Sequence, residues 1–496
     1  MTSTDISIAR LAVAYLLLVG AAATAVVAVA VLHPRATAQP VPASTAPAAP
    51  VAVAVTDGID IPHVLIVVAV LIAAAHLAGA LAARLGQPRV TGLAAAGLLL
   101  GPSALGQVAP VAAGWLHSGG AATAVDLLAQ LGVILFVFLI GRELGTAHAP
   151  PTRGTAVLVG HTTVAVPLLA GVVVAVTVLT PPAGVPALPH ALFIGLAMAA
   201  TALPVLAHIL AERHLLTSPL GATGAAAAAV ADATIWCLLA VTLCVARGES
   251  LPGTGLRLLA AFAFAAGMWW LLRPAVRRVL AVDPGGSPVR PALLLCLVLG
   301  CAVATERLGL HAIFGAFLAG LIMPVRSATV TRVAVMAQGA TEWLLLPLFF
   351  TAIGSRTHLS LLTGPTLALA GLVVAVAVSS KLLSGAVAGR VIGYGWRDAT
   401  ALGVMLNCRG LTELVLLSLG RTAGIIDERT FTVFVVMALV TTAATGPLLN
   451  LVGLRRPAPG NEPAGQPADQ TAPATPAAPV GEGTTAAAAA VPAVPA

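Results

Sequence analysis

Leu372-Val373-Val374-Ala375-Val376-Ala377-Val378-Ser379-Ser380-Lys381-Leu382-Leu383 lies within an apolar run, 362–389, long enough to cross a bilayer, and it carries the only lysine in 496 residues. The other 24 basic residues are arginines, mostly at the ends of apolar runs. Coding bias can favour Arg everywhere, but it does not explain a lysine kept only here. Arg stays charged, whereas a buried Lys can release its proton. An ionisable side chain at membrane depth marks an ion or proton path by default.

The rest of the chain supplies the membrane. Hydrophobic residues make up 59%, charged residues 9%, and the mean hydropathy is +1.01. These values describe an all-α polytopic membrane protein. The net charge of +7 needs no nucleic-acid partner, because arginines in short loops account for it and aromatics are only 4%. Cys237, Cys244, Cys296, Cys301 and Cys408 fall in apolar runs without metal-ligand spacing, so they read as small core residues.

Residues 1–60 comprise an apolar run at 8–32 and a Pro/Ala/Thr linker. The run is a signal peptide, with Ala36-Thr37-Ala38 as its cleavage site, or a retained extra helix. Its length exceeds the usual apolar core of about 7–15 residues and favours retention. Residues 61–455 then alternate apolar runs with short breaks. Thirteen core spans are expected, near 61–83, 90–106, 123–141, 154–179, 189–211, 219–246, 256–276, 289–305, 308–324, 337–354, 362–389, 398–420 and 430–453. Residues 456–496 form a Pro/Ala-rich tail with the composition of disorder.

Arginine placement orients these spans. If the first runs from outside to inside, fifteen arginines fall on the cytoplasmic side and six opposite, which puts the C-terminus in the cytoplasm. The membrane-depth charges that remain are Asp232, Lys381, Arg409 and Glu413. Their positions in spans six, eleven and twelve suit two inverted halves joined by a linking helix.

Asp232 sits among alanines with no local partner. Its burial requires a proton, a cation or a basic side chain. It either alternates between H⁺ and a metal cation, Na⁺ or K⁺, or caps a broken helix, or stays paired with Lys381. In Ala200-Thr201-Ala202-Leu203-Pro204-Val205, Pro204 removes a donor and disfavours helix at Leu203, so nearby carbonyls and the Thr201 hydroxyl suit a small hard cation or merely a kink. Arg409 and Glu413 lie four apart around Gly410, as a structural ion pair holding a second interrupted helix. His76, His161, His208 and His311 read as packing or pore-lining residues.

Together these segments resemble the monovalent cation:proton antiporter-2 family, the sodium/hydrogen exchanger domain of bacterial antiporters. The resemblance covers about 80–455. It rests on Leu85-Gly86-Gln87-Pro88 with Gly101-Pro102-Ser103, Phe138 through Leu144, Ala200 through Val205, Asp232 with Trp236, and Leu308 through Gly320. Pro347 through Phe350, Lys381, and Asn407 through Leu414 complete it. It implies a rigid dimer-forming domain, a moving core domain, and two broken helices crossing beside the ion-binding aspartate. Carried over by motif, Asp232 is that aspartate, Thr201 belongs to the first broken helix, and Lys381 is the charge-compensating lysine. Two positions depart from the pattern: Ala231 stands where relatives often have Asp, Asn or Gln, and Leu93 replaces a frequent Glu. Potassium-efflux relatives often add a nucleotide-binding domain, which is not expected in this chain.

The expected activity is exchange of Na⁺ or K⁺ for H⁺ across the cell membrane by alternating access, electroneutral, without cofactor or enzymatic chemistry, in a homodimer. A cation channel, or a membrane sensor or scaffold, are the alternatives. A carboxylate that must be neutralised each cycle favours exchange over a pore lined with charged rings.

Overall fold

The computed structural model describes residues 8–32, 60–85, 87, 89–146, 153–215, 218–246, 251–281, 289–308, 311–324 and 327–454. Nearly all of the expected linker and tail lies outside these residues. Among them there are helices and no strands.

The chain opens with α1 (Ile8–Tyr15) and α2 (Ala21–Leu32), joined by a π turn at Leu16–Gly20. Then come α3 (Ile61–Arg84), α4 (Arg89–Leu100), the short α5 (Leu105–Val108) and α6 (Pro110–Leu116), and α7 (Gly119–Thr146). These precede α8 (Arg153–Thr177), the pair α9 (Ala187–Ala199) and α10 (Leu203–Glu212), and α11 (Pro219–Ala246). A π turn joins α12 (Leu251–Gly267) to α13 (Arg273–Ala281), followed by α14 (Val289–Arg307) and α15 (Ala312–Ile322). Another joins α16 (Ala328–Ala340) to α17 (Leu346–Ser355). Last are α18 (Gly364–Val391), the pair α19 (Trp396–Leu406) and α20 (Leu411–Thr422), and α21 (Glu428–Leu451).

Every expected apolar segment carries a helix or a helix pair, and ten stretches among the described residues are long and apolar enough to cross a membrane. The protein is a multi-pass membrane protein. Its exposed large side chains, such as Leu65, Leu77 and Leu81 on α3 and Trp270 and Leu271 beside α13, would be an aggregation hazard in water. In hydrocarbon they are the solvent-facing surface. The short α5 overlaps the end of the expected span 90–106, and α6 falls in the connection to the next span.

Helix contacts sort into two sets. One contains α8, α9, α11, α18, α19, α20 and α21, with α18 touching α8, α19 and α21. The other contains α3, α4, α7, α14, α15, α16 and α17, where α7 packs on α15 and α17. With no hydrophobic drive between helices in lipid, close backbone approach holds such sets together. At the α4–α17 crossing a Cβ on Gly354 would stand 1.9 Å from the Gly97 carbonyl carbon, so only glycine fits there.

Candidate functional site

Two helices of the first set are interrupted at membrane depth, and the interruptions touch. Between α9 and α10 the chain is non-helical at Ala200–Ala202; between α19 and α20 it is non-helical from Asn407 to Gly410. Ala202 N–H donates to the Cys408 carbonyl (3.1 Å), Thr201 Oγ1 to the Leu406 carbonyl (3.3 Å), and Thr412 Oγ1 to the Thr201 carbonyl (3.2 Å). Thr442 of α21 accepts from Arg409 N–H and donates to its carbonyl. Each broken segment thus supplies partners that the other lost from its own helix.

The first break lies upstream of Pro204, which occupies the second position of α10. There its missing N–H is one of the donors a helix start leaves free anyway. The unpaired groups are the last carbonyls of α9. Arg409 Nη1 donates to the Ala197 carbonyl (2.7 Å) and Nη2 to that of Met198 (2.6 Å), while Lys381 Nζ donates to that of Ala199 (2.6 Å). Two cations therefore sit at the negative end of the α9 dipole.

Lys381 is fully buried, and its other two donors go to the Thr163 carbonyl on α8 (2.8 Å) and to Thr201 Oγ1 (2.7 Å). No ion pair joins it to Asp232 among the described residues. Arg409 and Glu413 are paired at 3.1 Å and both fully buried. Yet Arg409 stands in the break, ahead of the helix that carries Glu413. Gly410 is required by space: a Cβ there would meet Val205 Cγ2 at 2.7 Å.

Asp232, on α11, is 2% exposed and accepts one hydrogen bond, a long one of 3.4 Å from Leu203 N–H. That donor is the first residue of α10, so the anion lies at the positive end of one half-helix while the cations lie at the negative end of the other. The carboxylate retains acceptor capacity, and the Thr201 hydroxyl keeps a lone pair after accepting from Lys381. Carboxylate, hydroxyl and carbonyl oxygens suit a hard monovalent cation, and a carboxylate also takes a proton.

The structure brings Thr201, Asp232, Lys381, Arg409, Gly410 and Glu413 together around the two breaks and adds others, while His76 and His161 lie elsewhere, against the Trp343 carbonyl and Tyr15. Thr163 and Thr412 each act through one hydrogen bond, and Thr442 through two, to partners distant in sequence. Asn407 is fully buried with neither side-chain polar atom bonded. A cavity of about 360 Å³ lies between the two helix sets, lined by Asp126, Gln130, His311, Arg356, Val415 and Ser418. Its residues come from α7, α15, α17 and α20, so it reaches the second broken helix.

Residues 67–452 match the family described as sodium/hydrogen exchanger, transmembrane. The chain is 36% identical over 387 residues to the Na⁺/H⁺ antiporter NhaS4 of Synechocystis sp., covering 77% of this chain and 94% of that one. It is 32% identical over 380 residues both to cation/H⁺ antiporter 19 of Arabidopsis thaliana and to K⁺/H⁺ antiporter 1 of Saccharomyces cerevisiae. Those alignments cover 74% of this chain but only 46% and 43% of these longer relatives. The solved sodium proton antiporter MjNhaP1 of Methanocaldococcus jannaschii superposes with a TM-score of 0.55 at 14% identity, over 79% of this chain and 99% of that one, a likeness of fold.

Proposed function

The chain belongs to the transmembrane sodium/hydrogen exchanger family, and from that premise we propose that it is a secondary antiporter exchanging Na⁺ or K⁺ for H⁺ by alternating access. The observation that carries this reading is Asp232: a buried carboxylate of α11 facing the start of α10, with one weak backbone donor and no cation paired to it among the described residues. Such a group must be neutralised in each state that crosses the membrane, by a proton in one direction and a cation in the other. Thr201 contributes its hydroxyl to the cation. Lys381 offsets the carboxylate charge while holding the α9 terminus, and Pro204, Arg409, Gly410 and Glu413 maintain the breaks.

In this reading the helix set around α8 and α18 carries the site past the set around α3 and α7, and the cavity between them is one entry. The second set is buttressed by a two-fold partner, and the C-terminus is cytoplasmic. One proton exchanges for one monovalent cation, since Asp232 has no adjacent acid and Lys381 keeps its proton. The chain catalyses no covalent chemistry and needs no cofactor. A channel would not require the neutralised carboxylate, and a scaffold would not require Asp232 or Lys381 at all.

The test is reconstitution. Proteoliposomes holding a pH gradient and a pH-sensitive dye should dequench on addition of Na⁺ or K⁺ and not of choline. Unitary currents would replace the carrier by a channel, and silence toward every cation would leave the scaffold.

A further inference from the structure

The helix formed by α1 and α2 packs against α8 and α9, in the same set as Asp232 and Lys381. Its 25 residues span about 37 Å, enough for a bilayer. Tyr15, Ala22 and Val26 recur on one stripe. Ala22 and Val26 are buried although most of their neighbours are exposed. Ala14, Tyr15 and Leu18 pack on the apolar cluster containing Leu158 and Val159 of α8.

Among the described residues the contact includes a polar pair. Tyr15 Oη lies 2.8 Å from His161 Nδ1, with the rings edge-on at 5.6 Å. His161 is eight residues into α8, about 12 Å along its axis, between the apolar Leu158 and Val159 and the buried Thr162 and Thr163. An imidazole at that depth needs a polar partner, because lipid offers none. Removal of residues 8–32 would leave the ring facing hydrocarbon.

We propose that residues 8–32 remain in the working protein as a transmembrane helix docked on α8 through Tyr15 and His161, and that they travel with the ion-carrying set. The second clause rests on the antiport reading; the first does not.

The experiment has three arms. Mass spectrometry of the full chain extracted from membranes should find peptides from residues 1–32; a mature N-terminus beyond Leu32 overturns the proposal. Melting temperatures of Tyr15→Phe, His161→Leu and the double variant should be non-additive, Tyr15→Phe lowering the wild-type value and leaving the His161→Leu value unmoved. Additivity overturns the docking. Finally, with the five native cysteines replaced, Tyr15→Cys and His161→Cys joined by a short bis-maleimide should exchange cations at the rate of the unlinked protein. Loss of exchange on linking overturns the shared movement. Absence of exchange in the wild type would instead sink the antiport reading, and the first two arms would still decide retention and docking.

Discussion

Arg409→Met should be far more damaging than Glu413→Gln, although the two residues form one ion pair. The arginine also holds the Ala197 and Met198 carbonyls, and the glutamate holds nothing else. Truncating the arginine leaves two buried acceptors unsatisfied at about 1–3 kcal/mol each. It also leaves Glu413 buried without its cation, at about 3–5 kcal/mol. The sum is about 5–11 kcal/mol, less whatever Glu413 recovers by taking up a proton, so the carbonyls alone set a lower bound of about 2–6 kcal/mol. Domains are stable by about 5–15 kcal/mol, so little folded protein is expected. Glu413→Gln keeps an acceptor for Nη1, and the guanidinium remains solvated at the negative end of α9, for a loss of about 1–2 kcal/mol. The double variant Arg409→Met/Glu413→Leu removes the stranded charge but not the stranded carbonyls, and should recover only in part. Monodisperse yield and melting temperature in detergent read all three. Equal damage from both single changes, or full recovery in the double variant, would refute the carbonyl-capping role.

Thr201→Val should raise the apparent cation constant about 2–12-fold, the worth of one hydrogen bond, with little effect on maximal rate; unchanged constants for both Na⁺ and K⁺ would reduce Thr201 to packing. Gly354→Ala, which drives a methyl group into the Gly97 backbone, should destabilise by about 1–3 kcal/mol, while Gly364→Ala, with open space around it, should not; equal melting temperatures would contradict the α4–α17 packing. If one H⁺ exchanges for one cation, the reversal point in liposomes should be the same at zero and at ~100 mV, where each net charge would feel ~2.3 kcal/mol. A voltage-dependent shift would make Lys381 a second proton carrier.

The spans were legible because lipid leaves a helix little choice but an apolar run of fixed length. Asp232, Lys381, Arg409 and Glu413 were legible because charge at that depth is rare. Their partners were less so. The groups that bind Lys381 and Arg409 are mostly carbonyls on α8 and α9, some two hundred residues away, and a carbonyl belongs to every residue alike. Pro204 pointed to the first break but not to its place, because a proline is as comfortable in the first turn after a break as within it. Gly410 suggested a weak helix, and its reason is instead the approach of Val205. The open valences of Asn407 had no signal beyond its place in the Asn407–Leu414 segment.

Asp232→Asn tests the central claim most directly. The amide is isosteric and still accepts from Leu203 N–H, so the protein should fold, insert and elute as the wild type does. It cannot alternate between proton and cation, so reconstituted protein should show no Na⁺- or K⁺-dependent dequenching at any pH. Wild-type dequenching by folded, inserted Asp232→Asn would contradict the account and remove this carboxylate from the transport cycle.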